Sequence, residues 1–187
     1  LSENPVADLE YPKLRKSLPK YLTLDQSAAL LQAVAGPNEK RDYAILMIFL
    51  SCGIRRSELV GLNITDVYED RLRVVGKGNK EREVYFNART KIHLKCYLEQ
   101  RTDNNPALFV SLSSPHSRLT INGVESRLRQ LGKRANIIKV HPHKFRRTLA
   151  TMAIDKGMPI EQVQKLLGHV KIDTTLHYAM VNQTNVK

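Results

Sequence analysis

The last third of the chain holds the side chains with the clearest capacity for chemistry. His143 and Arg146 are three residues apart, which places them on one helix face, and the pair Gly168-His169 precedes Tyr178 by nine residues counted from the histidine. Imidazoles move protons, a guanidinium binds phosphate, and a phenol can form a covalent phosphoryl intermediate without a metal. Each piece is common alone. Their order and spacing together indicate a site in which a tyrosine attacks a phosphate ester.

A second arginine segment lies further upstream. Residues 53–59, Gly-Ile-Arg-Arg-Ser-Glu-Leu, follow an apolar run and offer both Arg55 and Arg56 for one phosphate-binding role. Glu58 lies on the same turn as Arg55, and a half-buried arginine usually needs a carboxylate partner. We therefore expect Glu58 to orient the guanidinium of Arg55. The residues alone do not separate Arg55 from Arg56.

Residues 75–84 have the pattern of a β-hairpin with a basic tip. Gly76 and Gly78 frame the turn around Lys77, and flanking glycines permit a close approach of the backbone to a ligand. They permit an ordinary tight turn equally well. The hairpin also carries Lys80 and Arg82.

These segments together resemble the catalytic domain of the tyrosine recombinases, the phage-integrase type of site-specific recombinase. That family's pattern is an arginine in a Gly-(Leu/Ile)-Arg-x-Ser-Glu-Leu segment, a hairpin lysine, His-x-x-Arg, Leu-Gly-His, and then a tyrosine. All of these occur here in that order, and the resemblance spans nearly the whole chain, from Leu18 to Tyr178. We expect an α+β fold that is mainly helical, with a small antiparallel sheet whose hairpin carries Lys77.

The resemblance also implies roles for individual residues. The family pattern selects Arg55 over Arg56, and Arg147 stands where many members have a second histidine. The implied reaction is DNA cleavage and rejoining through a 3′-phosphotyrosine. The implied catalytic residues are Arg55, Lys77, His143, Arg146, His169 and Tyr178, and the basic residues expected to contact DNA are Lys80, Arg82, Lys144 and Arg147.

The partner implied is double-stranded DNA with specific recombination sites, bound by a tetramer of identical chains, with no cofactor and no metal. Composition agrees with a polyanionic partner, because 30 Lys and Arg against 18 Asp and Glu give a formal charge of +12. A ribosomal or heparin-binding protein would show the same excess. The two cysteines, Cys52 and Cys96, are too few for a disulfide framework, and the chain has no bilayer-length apolar run or signal pattern. We expect a cytoplasmic protein.

The chain divides into a polar, proline-punctuated linker at residues 1–22 and a catalytic domain at residues 23–187. The resemblance implies that a smaller DNA-binding domain precedes the linker. Periodicity predicts a capped helix from Thr23, a central helix over 42–52, strands at 71–76 and 83–86, and a possible third strand at 137–140. Residues 120–134 form an amphipathic helix with Arg127, Arg129, Lys133 and Arg134 outward.

Three other functions fit parts of the pattern. A topoisomerase-like enzyme that nicks and reseals one duplex would use the same site. A basic DNA-binding regulator would carry the site residues incidentally. A metal-dependent nuclease would use His141 and His143, although the proline between them and the lack of nearby acidic residues disfavour a metal site.

Overall fold

The structure is a computed structural model that describes residues 21–76, 78–168 and 175–176. Within this part the predicted α+β class is confirmed, with helices packed around one antiparallel β-hairpin. No helix there is long and apolar enough to cross a membrane. The elements are α1 (Leu24–Gln32), α2 (Glu39–Cys52), α3 (Arg56–Gly61), a 3₁₀ turn (Ile64–Asp66), β1 (Arg71–Val75), β2 (Glu81–Tyr85), α4 (Ala88–Gln100), α5 (Ile121–Arg134), α6 (Pro142–Asp155) and α7 (Ile160–Leu167).

Helix α2 lies at the centre of the fold, as its nearly continuous apolar sequence predicted. Its buried side chains include Leu46, Ile48 and Phe49, and the helix packs against both α4 and α6. Phe49 stacks on Phe145 of α6 with ring centroids 5.5 Å apart. Burial of each such side chain contributes about 1.5–3 kcal/mol, so α2 is a rigid base for the segment that follows it.

The hairpin forms with the pairing Arg71↔Tyr85 through Val75↔Glu81. Its second strand begins at Glu81, two residues before the predicted start. Side chains on one face of the hairpin are buried, among them Leu72, Val74 and Val84. The backbone N–H of Gly76 donates to Lys80 O at 2.8 Å and closes the turn. The hairpin tip is thus held over the domain by one apolar face.

The predicted third strand at 137–140 is wrong. These residues form a turn between α5 and α6, in which the N–H of Ile137 donates to Gly132 O at 2.8 Å and Lys139 has a φ of +57°. Ile137 and Val140 are nevertheless buried. The apolar residues were identified correctly, but no strand within the described part of the chain pairs with them.

Leu22 and Arg127 are also placed differently from expectation. Leu22, assigned to the linker, is 1% exposed and donates its N–H to Thr148 Oγ1 at 2.8 Å, so the domain includes it. Most of the predicted linker lies outside the described residues. On α5, Arg129, Lys133 and Arg134 are exposed as predicted, but Arg127 turns inward and donates Nε to the buried carboxylate of Asp42. A buried carboxylate needs such a partner.

Candidate active site

Arg55 lies at the junction between α2 and α3. Helix α2 ends at Gly53, whose φ of +56° reverses the chain, and Arg55 is the residue that caps α3. A Cβ at Gly53 would lie 2.7 Å from Leu149 Cδ2, so this glycine also allows α6 to approach closely. The junction therefore packs closely against α6.

Glu58 orients the guanidinium of Arg55, as the sequence predicted. Arg55 donates NH1 to Glu58 Oε1 at 2.8 Å and its backbone N–H to Oε2 at 2.7 Å. The Glu58 side chain is 1% exposed, whereas that of Arg55 is 32% exposed. One edge of the guanidinium is thus fixed in the protein while part of the side chain stays open to solvent.

Arg146 is buried on α6 and reaches two other segments. It donates NH1 to Gly53 O at 2.6 Å and NH2 to Leu167 O, and the whole residue is 3% exposed. Both acceptors are backbone carbonyls at helix ends, which lack partners within their own helices. Arg146 therefore joins the end of α2 to the end of α7.

The two arginines meet at the carboxyl end of α7. Arg55 donates NH2 to Gly168 O at 3.0 Å, one residue beyond the carbonyl of Leu167 that Arg146 uses. Positive groups at a helix C-terminus are stabilised by the helix dipole. Gly168 itself has a left-handed conformation with a φ of +61° and ends the helix. The segment leading to His169 is thus held by both candidate phosphate clamps.

His143 lies beside these arginines on the second residue of α6. Arg55, His143 and Arg146 line one pocket of about 100 Å³, together with Ile54, Arg56, Ser57 and Pro142. The His143 ring is open to solvent on one side, yet partial burial and then repulsion from Arg146 and nearby arginines lower its pKa. A neutral imidazole can accept a proton, which suits a general base.

Comparison with known proteins agrees with this geometry. The sequence pattern of the phage integrase family matches residues 20–185. The chain belongs to the phage integrase family. Among its relatives, the tyrosine recombinase XerC of Caldanaerobacter subterraneus subsp. tengcongensis is 40% identical over 194 residues, which cover 100% of this chain and 54% of that protein. The XerC of Chromohalobacter salexigens is 35% identical, over 97% of this chain and 63% of its own length.

Solved structures show that this chain has the fold of a tyrosine recombinase catalytic domain. The crystal structure of XerA recombinase superposes with a TM-score of 0.77 at 31% identity, over 95% of this chain and 68% of that one. XerH bound to its difH substrate shares the fold at a TM-score of 0.76 and 23% identity, over 90% of this chain and 52% of that one. The chain spans 54% and 63% of the length of the two XerC relatives.

The structure does not cover three of the predicted catalytic residues. Lys77, His169 and Tyr178 lie outside the described residues. Their chain neighbours are in place, since Gly76 and Gly78 belong to the hairpin and Gly168 lies beside Arg55. The structure therefore brings together Arg55, His143 and Arg146, and the catalytic roles of all six residues stay predictions.

The four residues expected to contact DNA are placed differently from one another. Lys80 is exposed and Arg147 is partly exposed. Lys144 is 8% exposed and donates Nζ to Ile138 O at 2.9 Å, beneath the turn that joins α5 to α6. Arg82 turns inward to Glu58. The cationic groups of Lys144 and Arg82 are thus engaged by protein atoms in this structure, and a contact of either residue with a DNA backbone stays a prediction.

Sequence reasoning missed the inward position of Arg82, although a signal for it was present. Side chains two residues apart on a strand share a face, and Arg82 is two residues before the buried Val84. Its register partner is the buried Val74. The alternation places Arg82 on the inner face of the hairpin rather than at its solvated tip.

The charge of Glu58 makes the free energy of unfolding of this domain depend on pH. Burial raises the pKa of Glu58, but hydrogen bonds from Arg82 and from the Arg55 N–H outweigh it and lower the pKa from 4.5 to about 2. The folded pKa lies below the unfolded one, so the stabilisation is present above pH 4.5 and is lost as the pH falls toward 2. We expect Glu58→Gln to lower the free energy of unfolding by about 3 kcal/mol at neutral pH.

Urea unfolding of the wild type and of Glu58→Gln from about pH 3 to pH 7 measures this effect. The difference in unfolding free energy between the two proteins should shrink steadily below pH 4.5, where the unfolded carboxyl begins to bind its proton. A difference that stays constant over the whole range would show that the charge of Glu58 is not what stabilises the site.

Proposed function

We propose that this chain is the catalytic domain of a site-specific DNA recombinase that cleaves and rejoins DNA through a 3′-phosphotyrosine, without metal or ATP. The observation that carries the proposal is the pocket in which Arg55, His143 and Arg146 meet. Two guanidinium groups and a neutral imidazole in one pocket provide a phosphate clamp and a proton acceptor. Membership of the phage integrase family supports double-stranded DNA as the substrate class, and we propose that the protein acts in the cytoplasm.

Each residue then has a defined task. Tyr178 attacks the scissile phosphorus, and its phenolic proton passes to His143. Arg55 and Arg146 bind the non-bridging oxygens and stabilise the charge that grows on them in the transition state. His169 donates a hydrogen bond to the same phosphate.

The 5′-oxygen leaves with a proton from Lys77, so that the phosphodiester is exchanged for a phosphotyrosyl bond and a free 5′-hydroxyl. The reverse reaction with a 5′-hydroxyl from a partner duplex completes the exchange, since the phosphotyrosyl bond retains the energy of the broken linkage. No external energy source is needed. Exchange between two duplexes requires four active sites, so we propose a tetramer of identical chains on two recombination sites, with Lys80 and Arg147 contacting the DNA backbone.

A covalent-capture experiment tests this function. The protein is incubated in EDTA with a pool of nicked duplexes of randomised core sequence, then denatured and separated by size. Tyrosine chemistry gives a covalent protein–DNA band in EDTA, and sequencing of the trapped DNA reveals the target. A metal-dependent nuclease gives cleavage only without EDTA, and a binding regulator gives neither product. Absence of the covalent band with the wild type would overturn the proposed function.

The role of Lys77 has a separate prediction. An alkoxide is a poor leaving group that needs a proton, whereas a thiolate leaves without one. Lys77→Ala should therefore cleave normal DNA at least about a hundredfold more slowly, but cleave a 5′-bridging phosphorothiolate at close to the wild-type rate. Arg146→Ala should not be rescued, because a better leaving group does not replace a phosphate clamp. Rescue of Lys80→Ala instead would identify Lys80 as the acid.

A further inference from the structure

Arg82 forms a two-point contact with the buried carboxylate of Glu58. It donates NH1 to Oε1 at 2.7 Å and NH2 to Oε2 at 3.0 Å. Paired hydrogen bonds between a guanidinium and a carboxylate fix both distance and orientation. The Arg82 side chain is 19% exposed and that of Glu58 is 1% exposed, so this pair is largely removed from water.

The same carboxylate holds Arg55, so the two arginines are linked through one group. Glu58 Oε1 accepts from NH1 of both arginines, at 2.8 Å from Arg55 and 2.7 Å from Arg82. Its Oε2 accepts the backbone N–H of Arg55 and NH2 of Arg82. A buried carboxylate that loses one of two cationic partners is undercompensated and draws the other toward it. The position of Arg55 therefore depends on Arg82.

Arg82 also packs against the end of α7. A Cβ at Gly168 would lie 3.0 Å from Arg82 Nε and 3.1 Å from Arg82 Cζ, so the guanidinium lies directly over this glycine. The carbonyl of Gly168 is the one that accepts from Arg55. On the other side, a Cβ at Gly76 would lie 3.5 Å from Arg82 NH1. Arg82 thus lies beside Gly76, the residue before Lys77, and beside Gly168, the residue before His169.

Among the hairpin side chains that the structure describes, Arg82 is the one that lies beside all of these segments. A two-stranded hairpin is marginally stable alone, and this one has one buried apolar face to hold it. The paired hydrogen bonds from Arg82, on the second strand, to Glu58 fix the position and angle of the hairpin tip relative to the rest of the domain. Loss of the anchor would let the tip and Arg55 shift together.

We propose that Arg82 is a positioning residue that, through Glu58, sets Arg55 and holds the Lys77 hairpin against the carboxyl end of α7. The proposal rests on the proposed function, in which Arg55 binds the phosphate and Lys77 protonates the leaving oxygen. Arg82 itself does not touch the DNA. Its loss acts on the rate of the chemical step and leaves DNA affinity in place.

The test compares Arg82→Ala and Arg82→Lys with Arg73→Ala. Arg73 is a matched control, since it lies on the same hairpin and pairs with a carboxylate at 2.8 Å, but with that of Asp66 rather than that of Glu58. The probe is the nicked duplex recovered by covalent capture with the wild type. Three quantities are measured: the single-turnover cleavage rate at saturating DNA, the affinity for DNA at several salt concentrations, and the melting temperature.

We expect Arg82→Ala to cleave about tenfold to a hundredfold more slowly, as for a misplaced catalytic group, with DNA affinity and its salt dependence within about twofold of wild type. Arg82→Lys should be intermediate, because it keeps the charge and loses the fork. Guanidinium ions at low millimolar concentration should restore part of the rate of Arg82→Ala, while equal sodium chloride should not. Arg73→Ala should keep the wild-type rate and gain nothing from guanidinium.

A double variant completes the test. Glu58→Gln combined with Arg82→Ala should be no slower than the slower single variant, because both changes break one interaction. A full cleavage rate with weaker binding and a smaller salt dependence in Arg82→Ala would overturn the proposal and make Arg82 a phosphate contact. If Arg82→Ala does not fold, the rate of Arg82→Lys decides: a wild-type rate there overturns the proposal. The wild-type covalent band reports on the proposed function independently of every Arg82 result.

Discussion

Replacement of Tyr178 by phenylalanine should abolish the covalent protein–DNA complex and leave DNA binding intact. The change removes the phenolic oxygen, which is the proposed nucleophile, and keeps the aromatic ring. Among the described residues that line the pocket of Arg55, His143 and Arg146, Ser57 also carries a hydroxyl, but the family pattern assigns the nucleophile to Tyr178. We expect the covalent product to fall below detection, at least about a thousandfold under wild type.

Tyr85→Phe is the matched control for this experiment. Its hydroxyl is exposed and donates to Glu83 Oε2 at 3.3 Å on the outer face of the hairpin, away from the pocket. This variant should form the covalent complex at the wild-type rate. An equal yield from Tyr178→Phe and the wild type would show that the nucleophile is another residue, and peptide mapping of the trapped complex would locate it.

Arg55→Lys should lower the cleavage rate by about a hundredfold or more, whereas Arg56→Lys should be mild. The two residues are adjacent in sequence but differ in their contacts. Arg55 uses NH1 for Glu58 and NH2 for Gly168 O, and a lysine cannot make both bonds and still present a second edge to a phosphate. Arg56 is 47% exposed and pairs with Glu125 on α5, and an exposed pair is worth at most about 1 kcal/mol.

Single-turnover cleavage at saturating DNA distinguishes the two arginines, because both variants keep the formal charge of the chain and so its general attraction to DNA. Melting temperatures within a few degrees of wild type would show that neither substitution unfolds the domain. If Arg56→Lys were the slow variant and Arg55→Lys the mild one, the phosphate clamp would be Arg56 and the family pattern would be displaced by one residue here.

Much of the site was predictable from the sequence because its residues form short local motifs. The spacing of His143 and Arg146 places both on one side of α6, and the pairing of Arg55 with Glu58 spans a single helical turn. Such relations depend on the helix repeat and require no knowledge of the rest of the chain. The same is true of the central position of α2, which its nearly all-apolar sequence indicated.

Sequence reasoning also missed the protein contacts of some side chains, for a common reason. Lys144 and Arg82 were assigned to DNA because they are basic and lie near catalytic motifs, and residues 137–140 were assigned to a strand because they are apolar. Composition reports what a residue can bind, whereas its actual partner depends on which neighbours the fold supplies. Lys144 donates a hydrogen bond to the backbone carbonyl of Ile138, and Arg82 donates one to the carboxylate of Glu58.

The sequence by itself determined the family of this protein and the reaction that we propose for it, since the types and order of the candidate reactive residues are fixed in the chain. Only the tertiary structure decided which of these residues lie close together and which backbone groups hold them. Arg146 reaches Gly53 across 93 residues and Arg55 reaches Gly168 across 113. Contacts over such separations arise from the packing of α2, α6, α7 and the hairpin, and no local periodicity encodes them. That packing converts separate motifs into one pocket and makes Arg82 part of its support.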